Sequence, residues 1–291
     1  MSDEALRHDV RAFVSELRRK IEERQHGVGT FADHVWLAFA THLEHRDDRQ
    51  QWDPALATLD EIDREAFERL RQLLSRRAQG RFVDHADRAR TAGIHGPSDI
   101  GYFDMAASQG LTECLQWKGM PLFKSVYDFS LYPMLLWTLR PKTIVELGSG
   151  SGASALWLAD TAAAFGLDTH VYSVDLKRPA LQDPRITFLE GDCEAIDTVF
   201  EEATLRRASH PWLLLEDAHA GVYEVLRFFH AYLVPGDYVI VEDSAGKQEE
   251  LRHFLVRHPD TYRVDTHYTD FFGRNATCAQ DSILVRTGRH D

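Results

Sequence analysis

The chain has 291 residues, 44% apolar and 27% charged, the balance of a globular protein large enough for one big domain plus an appendage. Its net charge of -13 repels a phosphate backbone, which argues against nucleic acid as a partner. No apolar run nears the ~18 residues of a membrane span, and the polar start MSDEALRHD is no signal peptide, so the expectation is a cytoplasmic protein with no membrane partner. Cys114, Cys193 and Cys278 match no zinc spacing and read as reduced thiols. Asn275-Ala276-Thr277 fits a glycosylation acceptor, but without a secretion signal the match reads as chance.

The first third predicts helices. Leu6, Val10, Phe13, Val14, Leu17 and Ile21 recur at three- and four-residue steps and make one apolar stripe. Phe31, Val35, Trp36, Phe39 and Leu43 make a second. Leu56, Leu59, Ile62, Phe67, Leu70 and Leu74 make a third, opened by Pro54. Their spare apolar faces predict packing on the rest of the chain or a homo-oligomer. His34, His42 and His45 lie in the second stripe, but nothing near them completes a ligand set. Residues 91–98, TAGIHGPS, read as a linker, which gives a helical region 1–95 and a second domain 96–291.

Beyond the linker, Leu131 to Leu139 reads as a helix stopped by Pro141. Seven β-rich runs then alternate with helical stretches: TIVEL, HVYSVDL, ITFLEGD, WLLLED, YVIVED, YRVDTHY and SILVR. The first five are apolar on both faces, as buried parallel strands are. The alternation predicts an α/β fold with a doubly wound, Rossmann-like sheet.

Gly148, Gly150 and Gly152 follow the first of these strands and precede a helix, Ala153 to Ala164. Glycines there let backbone approach a ligand and present free N–H groups. The run Gly148 to Ala153 also satisfies G-x-G-x-x-G/A, so a dinucleotide is formally allowed. Asp175, at the second strand's end, suits ribose hydroxyls in either case. Glu146 at the loop's entrance would oppose a diphosphate but suit a cation, and Asp192 can meet an adenine amino group. This chain of acids favours S-adenosylmethionine, which carries adenine, ribose, an ammonium and a sulfonium.

VELGSGSG, VYSVDL and FLEGD, in that order, resemble the cofactor motifs of class I methyltransferases. PLFKSVYDFSLYPMLLWTLRPKTIVELGSGSGASALWLAD, LVPGDYVIVEDS and DFFGRNATCAQDSILVR resemble the cephalosporin hydroxylase family, with macrocin-type sugar O-methyltransferases as more distant relatives. The resemblance covers roughly residues 100–287 and leaves the helical start outside it. It implies a seven-stranded methyltransferase sheet, bound S-adenosylmethionine and often magnesium in the acceptor site. The implied cofactor contacts are Glu146, Gly148, Ser149, Gly150, Gly152, Ser154, Asp175, Leu176, Asp192, Cys193 and Glu216.

Two strands end in paired acids, Glu216-Asp217 and Glu242-Asp243. On adjacent strands, about 5 Å apart, four carboxylates repel unless some protonate or a cation joins them, and all-oxygen ligands favour a hard cation, magnesium before calcium. The family carries an Asp three residues before the motif histidine, where this chain has Glu216, so the first metal ligand stays open between Glu216 and Asp217. Glu242 and Asp243 match their family positions. His219, at the site mouth, is the candidate base for the acceptor hydroxyl. Lys118, Lys124, Tyr127, Asp128 and Tyr132 are contact candidates without assigned roles, and DFFGRNATC is a loop that could close the acceptor pocket.

The expected function is magnesium-assisted O-methylation of a small natural product or sugar, for example in antibiotic biosynthesis. A nicotinamide-dependent oxidoreductase and a non-catalytic auxiliary protein with a methyltransferase fold are the alternatives. An iron oxygenase ranks below them, because His219 has no histidine mate at a recognisable spacing, only remote ones such as His267.

Overall fold

The computed structural model describes residues 3–23, 36–37, 70, 74, 80–89 and 98–288. The chain divides into two compact units, Met1–Gly80 and Arg81–Asp291. In the first, helix α1 (Asp3–Glu23) buries Val10, Phe13, Val14 and Leu17, the middle of the expected stripe, in one cluster with Leu70 and Leu74. Most of the second and third stripes, with His34, His42 and His45, lies outside the described residues.

The second unit is built on an eight-stranded sheet of order β1-β9-β10-β8-β7-β4-β5-β6. Its strands are β1 (Phe82–Val83), β4 (Thr143–Leu147), β5 (His170–Asp175), β6 (Ile186–Glu190), β7 (Trp212–Glu216), β8 (Tyr238–Val241), β9 (Tyr262–Asp265) and β10 (Ile283–Arg286). A separate hairpin pairs β2 (Gln116–Trp117) with β3 (Met120–Pro121). All seven expected strands are present, and β4 to β8 run parallel.

The count of seven is corrected to eight by β1, antiparallel to β9 with Phe82 opposite Asp265. Two residues carry no alternation, so the period test passes over such a strand. Residues ahead of the expected linker therefore belong to the sheet unit. Arg81 donates twice to Asp265, each at 2.8 Å, and buried Arg88 pairs with Asp270 at 2.7 Å and Asp281 at 2.5 Å.

Helices cover both faces, which is why the central strands are apolar throughout. Consecutive residues point to opposite sides: Ile144 joins the cluster holding Leu135, Leu136 and Trp157, whereas Val145 joins that of Val225, Phe229 and Phe254. The described helices of this unit are α2 (His85–Ala89), α3 (Tyr102–Ala107), α4 (Val126–Leu139), α5 (Ala153–Ala164), α6 (Glu202–Arg207), α7 (Val222–His230), α8 (Gln248–Arg257) and α9 (Thr266–Thr269). Helix α4 starts five residues before the expected Leu131, because Ser125 caps it by accepting from the Asp128 N–H. It ends on Arg140 in the left-handed conformation, directly before Pro141.

From β4 the chain crosses to β5 and β6 on one side and to β7 and β8 on the other. The gap beyond β4 and β7 is thus the topological switch point, where doubly wound sheets open a crevice at their carboxyl ends.

Candidate active site

That crevice holds a cavity of about 430 Å³, lined after the end of each parallel strand. Strand β4 supplies Gly148 and Gly150, β5 supplies Asp175 and Leu176, and β6 supplies Gly191, Asp192 and Cys193. Strand β7 supplies Asp217 to Ala220, and β8 supplies Asp243. Gly148 lies at φ +102°, and a Cβ there would stand 2.5 Å from the Asp217 carbonyl oxygen, so only glycine lets these two loops touch. The Gly150 N–H donates to Asp175 Oδ2 at 2.7 Å, which fixes that carboxylate at the loop. Asp192 accepts from the Glu194 N–H at 2.9 Å and caps the turn behind it.

Six of the expected cofactor contacts line the cavity: Gly148, Gly150, Asp175, Leu176, Asp192 and Cys193. Glu146, Ser149, Gly152, Ser154 and Glu216 do not. Glu146 is buried beneath the loop, where it accepts from Ser173 and Ser154, and burial pushes its carboxyl up to about 7. Ser149 is buried and shares a 2.6 Å hydrogen bond with Ser173. Gly152 begins α5 against Phe188, Leu181 and Pro179.

The four acids separate into two pairs. Glu216 is fully buried and ion-paired with Lys247 at 2.8 Å, and burial raises its carboxyl pKa against the pull of that ammonium. Glu242 is buried as well, accepting from Lys124 at 2.8 Å and from the Tyr132 hydroxyl. Burial pushes Glu242 up, whereas Lys124, which also meets Asp217 at 2.8 Å, works to keep it ionised. Asp217 and Asp243 instead face the cavity.

His219 joins them, its Nε2 lying 3.7 Å from Asp217 Oδ1 and 3.4 Å from Asp243 Oδ2. His219 and Asp243 both hold left-handed backbone, φ +57° and +47°, a conformation that non-glycine residues adopt at some cost. Asp217, His219 and Asp243 each offer one ligand atom, and these lie within 4.8 Å of one another, a spacing one divalent ion can span.

Among the unassigned candidates, Lys124 and Tyr132 reach the acids, while Asp128 is buried and anchors Thr277 and Cys278. Lys118 pairs with Asp160 at 2.7 Å and Tyr127 packs on Phe272, so neither belongs to the cavity wall. Gln109 and Phe123 line the cavity from outside the strand pattern, and sequence reasoning missed them, as it missed Lys247. Gln109 and Phe123 are brought there by the path of the segment before β4, and Lys247 by the turn that follows β8.

A second cavity, of about 800 Å³, adjoins the first and shares Gln109 and Asp243 with it. Cys278, at the end of the DFFGRNATC loop, and Gln280, just beyond it, line this second space.

The arrangement has known counterparts. The chain is 29% identical over 191 residues to a rhamnosyl O-methyltransferase of Mycobacterium leprae (strain TN), covering 58% of this chain and 82% of that one. A Mycobacterium tuberculosis (strain H37Rv) rhamnosyl O-methyltransferase is 25% identical over 190 residues, covering 58% and 76%. A solved structure of CmcI with Mg and SAM superposes with a TM-score of 0.53 at 28% identity, covering 69% of this chain and 88% of that one. The model of the Rhamnosyl O-methyltransferase/CmcI family matches residues 109–261, over half of the chain and every segment of the first cavity's wall, and the chain belongs to that family.

Proposed function

We propose that this protein transfers a methyl group from S-adenosylmethionine to a hydroxyl of a sugar or related natural product, with magnesium beside the donor. The observation that carries this reading is the charge of the switch-point cavity. Its acidic side chains are Asp175, Asp192, Asp217 and Asp243, and no lysine or arginine is among its described lining. Such a wall favours a sulfonium and an ammonium and opposes the diphosphate of a nicotinamide dinucleotide. The named activity of the mycobacterial relatives makes a rhamnosyl hydroxyl the leading acceptor.

The residues fit both groups. Asp175 and Asp192 stand at the ends of β5 and β6, where ribose and adenine are held in doubly wound folds. Asp217 and Asp243 would hold the metal, since oxygen donors suit a hard divalent ion. When bound, S-adenosylmethionine supplies an electrophilic methyl, and magnesium lowers the pKa of a coordinated hydroxyl. His219 would accept the acceptor hydroxyl's proton at Nε2. Asp217 and Asp243, both within 3.7 Å of that nitrogen, would stabilise the imidazolium that results. Glu242, Lys124 and Tyr132 form the buried base on which the facing acids are set.

Calorimetry tests the donor directly. S-adenosylhomocysteine should bind and NADH should not; heat from NADH with silence from S-adenosylhomocysteine would overturn the reading.

A further inference from the structure

The second cavity is walled on one side by Tyr102, Met105 and Ala106 of α3 and on the other by Gln280, with Gln109 and Asp243 at the boundary with the donor cavity. Apart from those two boundary residues and its floor, Ala245 and Gly246, this wall lies outside the span 109–261 that matches the family. The donor cavity, by contrast, lies wholly within that span. Most of this wall thus lies outside the segment that the family model matches.

Its chemistry is one-sided. Among the described residues no lysine, arginine or histidine lines it, and Asp243 is its only charged side chain. An anionic group on the acceptor's body would find no cationic side chain along this wall. Its volume, about 800 Å³, matches the roughly 300–1,000 Å³ of pockets that enclose drug-sized ligands, more than a single sugar ring fills. Tyr102 is 81% exposed and Phe103 85% exposed, so the helix that forms the wall also presents two aromatic rings to the solvent.

We infer that this cavity is the acceptor site and that it takes an uncharged amphiphile. The hydroxyl to be methylated lies at the boundary formed by Gln109 and Asp243, and an apolar body lies against Tyr102, Met105 and Ala106. Gln109 is held for this by its contact with Cys278 Sγ at 3.8 Å. The inference rests on the methyltransferase reading, and it adds where the acceptor binds and which acceptors are refused.

The test uses the full chain saturated with S-adenosylhomocysteine and magnesium, titrated with methyl, octyl and 7-carboxyheptyl α-L-rhamnosides below the micelle range. The octyl glycoside should bind at least about tenfold more tightly than the other two, because its added methylenes are buried without a charge. Ala106→Trp, at an exposed position, should fill the cavity and erase that preference while S-adenosylhomocysteine affinity stays within about twofold. Equal binding of the three, binding of none, or an Ala106→Trp protein that still prefers the octyl chain would each overturn the inference. Octyl binding that is sensitive to Ala106→Trp, in a protein that ignores S-adenosylhomocysteine, would instead overturn the donor reading and leave the apolar site standing.

Discussion

The buried ammonium of Lys124 donates to Glu242 Oε1 at 2.8 Å. The same Nζ reaches Asp217 Oδ2 at 2.8 Å, so one lysine from the segment before α4 joins the ends of β7 and β8. An internal cation thus stands behind the acids that would receive a metal. Its removal should leave buried Glu242 without its ion-pair partner, and Lys124→Met is expected to lower stability by about 3–5 kcal/mol. Magnesium should then raise the melting temperature of the variant more than that of the native protein. Thermal melts with and without the ion check this, and equal shifts would show that Lys124 does not offset those charges.

Asp217 and Glu216 are neighbours with opposite fates, and substitution should separate them. Asp217→Asn is expected to weaken Mn²⁺ binding, followed by electron paramagnetic resonance, by about tenfold or more, since a cavity-facing ligand is lost. Glu216→Gln should leave Mn²⁺ affinity near the native value but destabilise the fold by about 3–5 kcal/mol, because Lys247 loses its buried partner. The reverse pattern would make Glu216 the ligand.

His219→Ala should keep affinity for S-adenosylhomocysteine, because the ring is over half exposed beside the donor cavity and no strand depends on it. Turnover should fall about a hundredfold to ten-thousandfold, the usual share of a positioned base. Calorimetry and methyl-transfer rates measure the two halves separately. Native turnover in the variant would take the proton elsewhere.

Glu146 supplies a pH dependence whose sign follows from its burial. Its carboxyl is raised from 4.5 to about 7 in the folded chain, so the native state favours the protonated form. Its contribution is most favourable below the unfolded value, declines as pH rises through that interval, and is constant above about 7. The full difference is up to about 3 kcal/mol. Glu146→Gln should remove that slope, so denaturant titrations at pH 4 and pH 8 should show the variant gaining on the native protein at the higher pH. Parallel curves would contradict it.

Gly148 and Gly150 look alike in the sequence but should not tolerate alanine equally. At Gly148 the new methyl meets backbone at 2.5 Å, and about 2–5 kcal/mol of stability should be lost together with donor binding. At Gly150 the methyl meets open space, leaving only the left-handed strain of about 1–2 kcal/mol. Chemical denaturation of the two variants gives the comparison.

Much of this protein is written locally. Strands buried on both faces must be apolar at every position, so β4 to β8 stand out as runs, and a doubly wound sheet places their following loops on one edge. The glycines and acids after those strands were for that reason legible as the rim of one candidate site, and six of the expected contacts do line the switch-point cavity. What the sequence could not decide is which acid of each pair faces the cavity. Neighbouring side chains point in different directions, and the choice is made by partners far along the chain: Lys124 is 118 positions from Glu242, and Lys247 is 31 from Glu216. The two-residue strand β1, the wall around Tyr102 and the placing of Gln109 are likewise products of tertiary structure, since each depends on a surface that exists only once the sheet has formed.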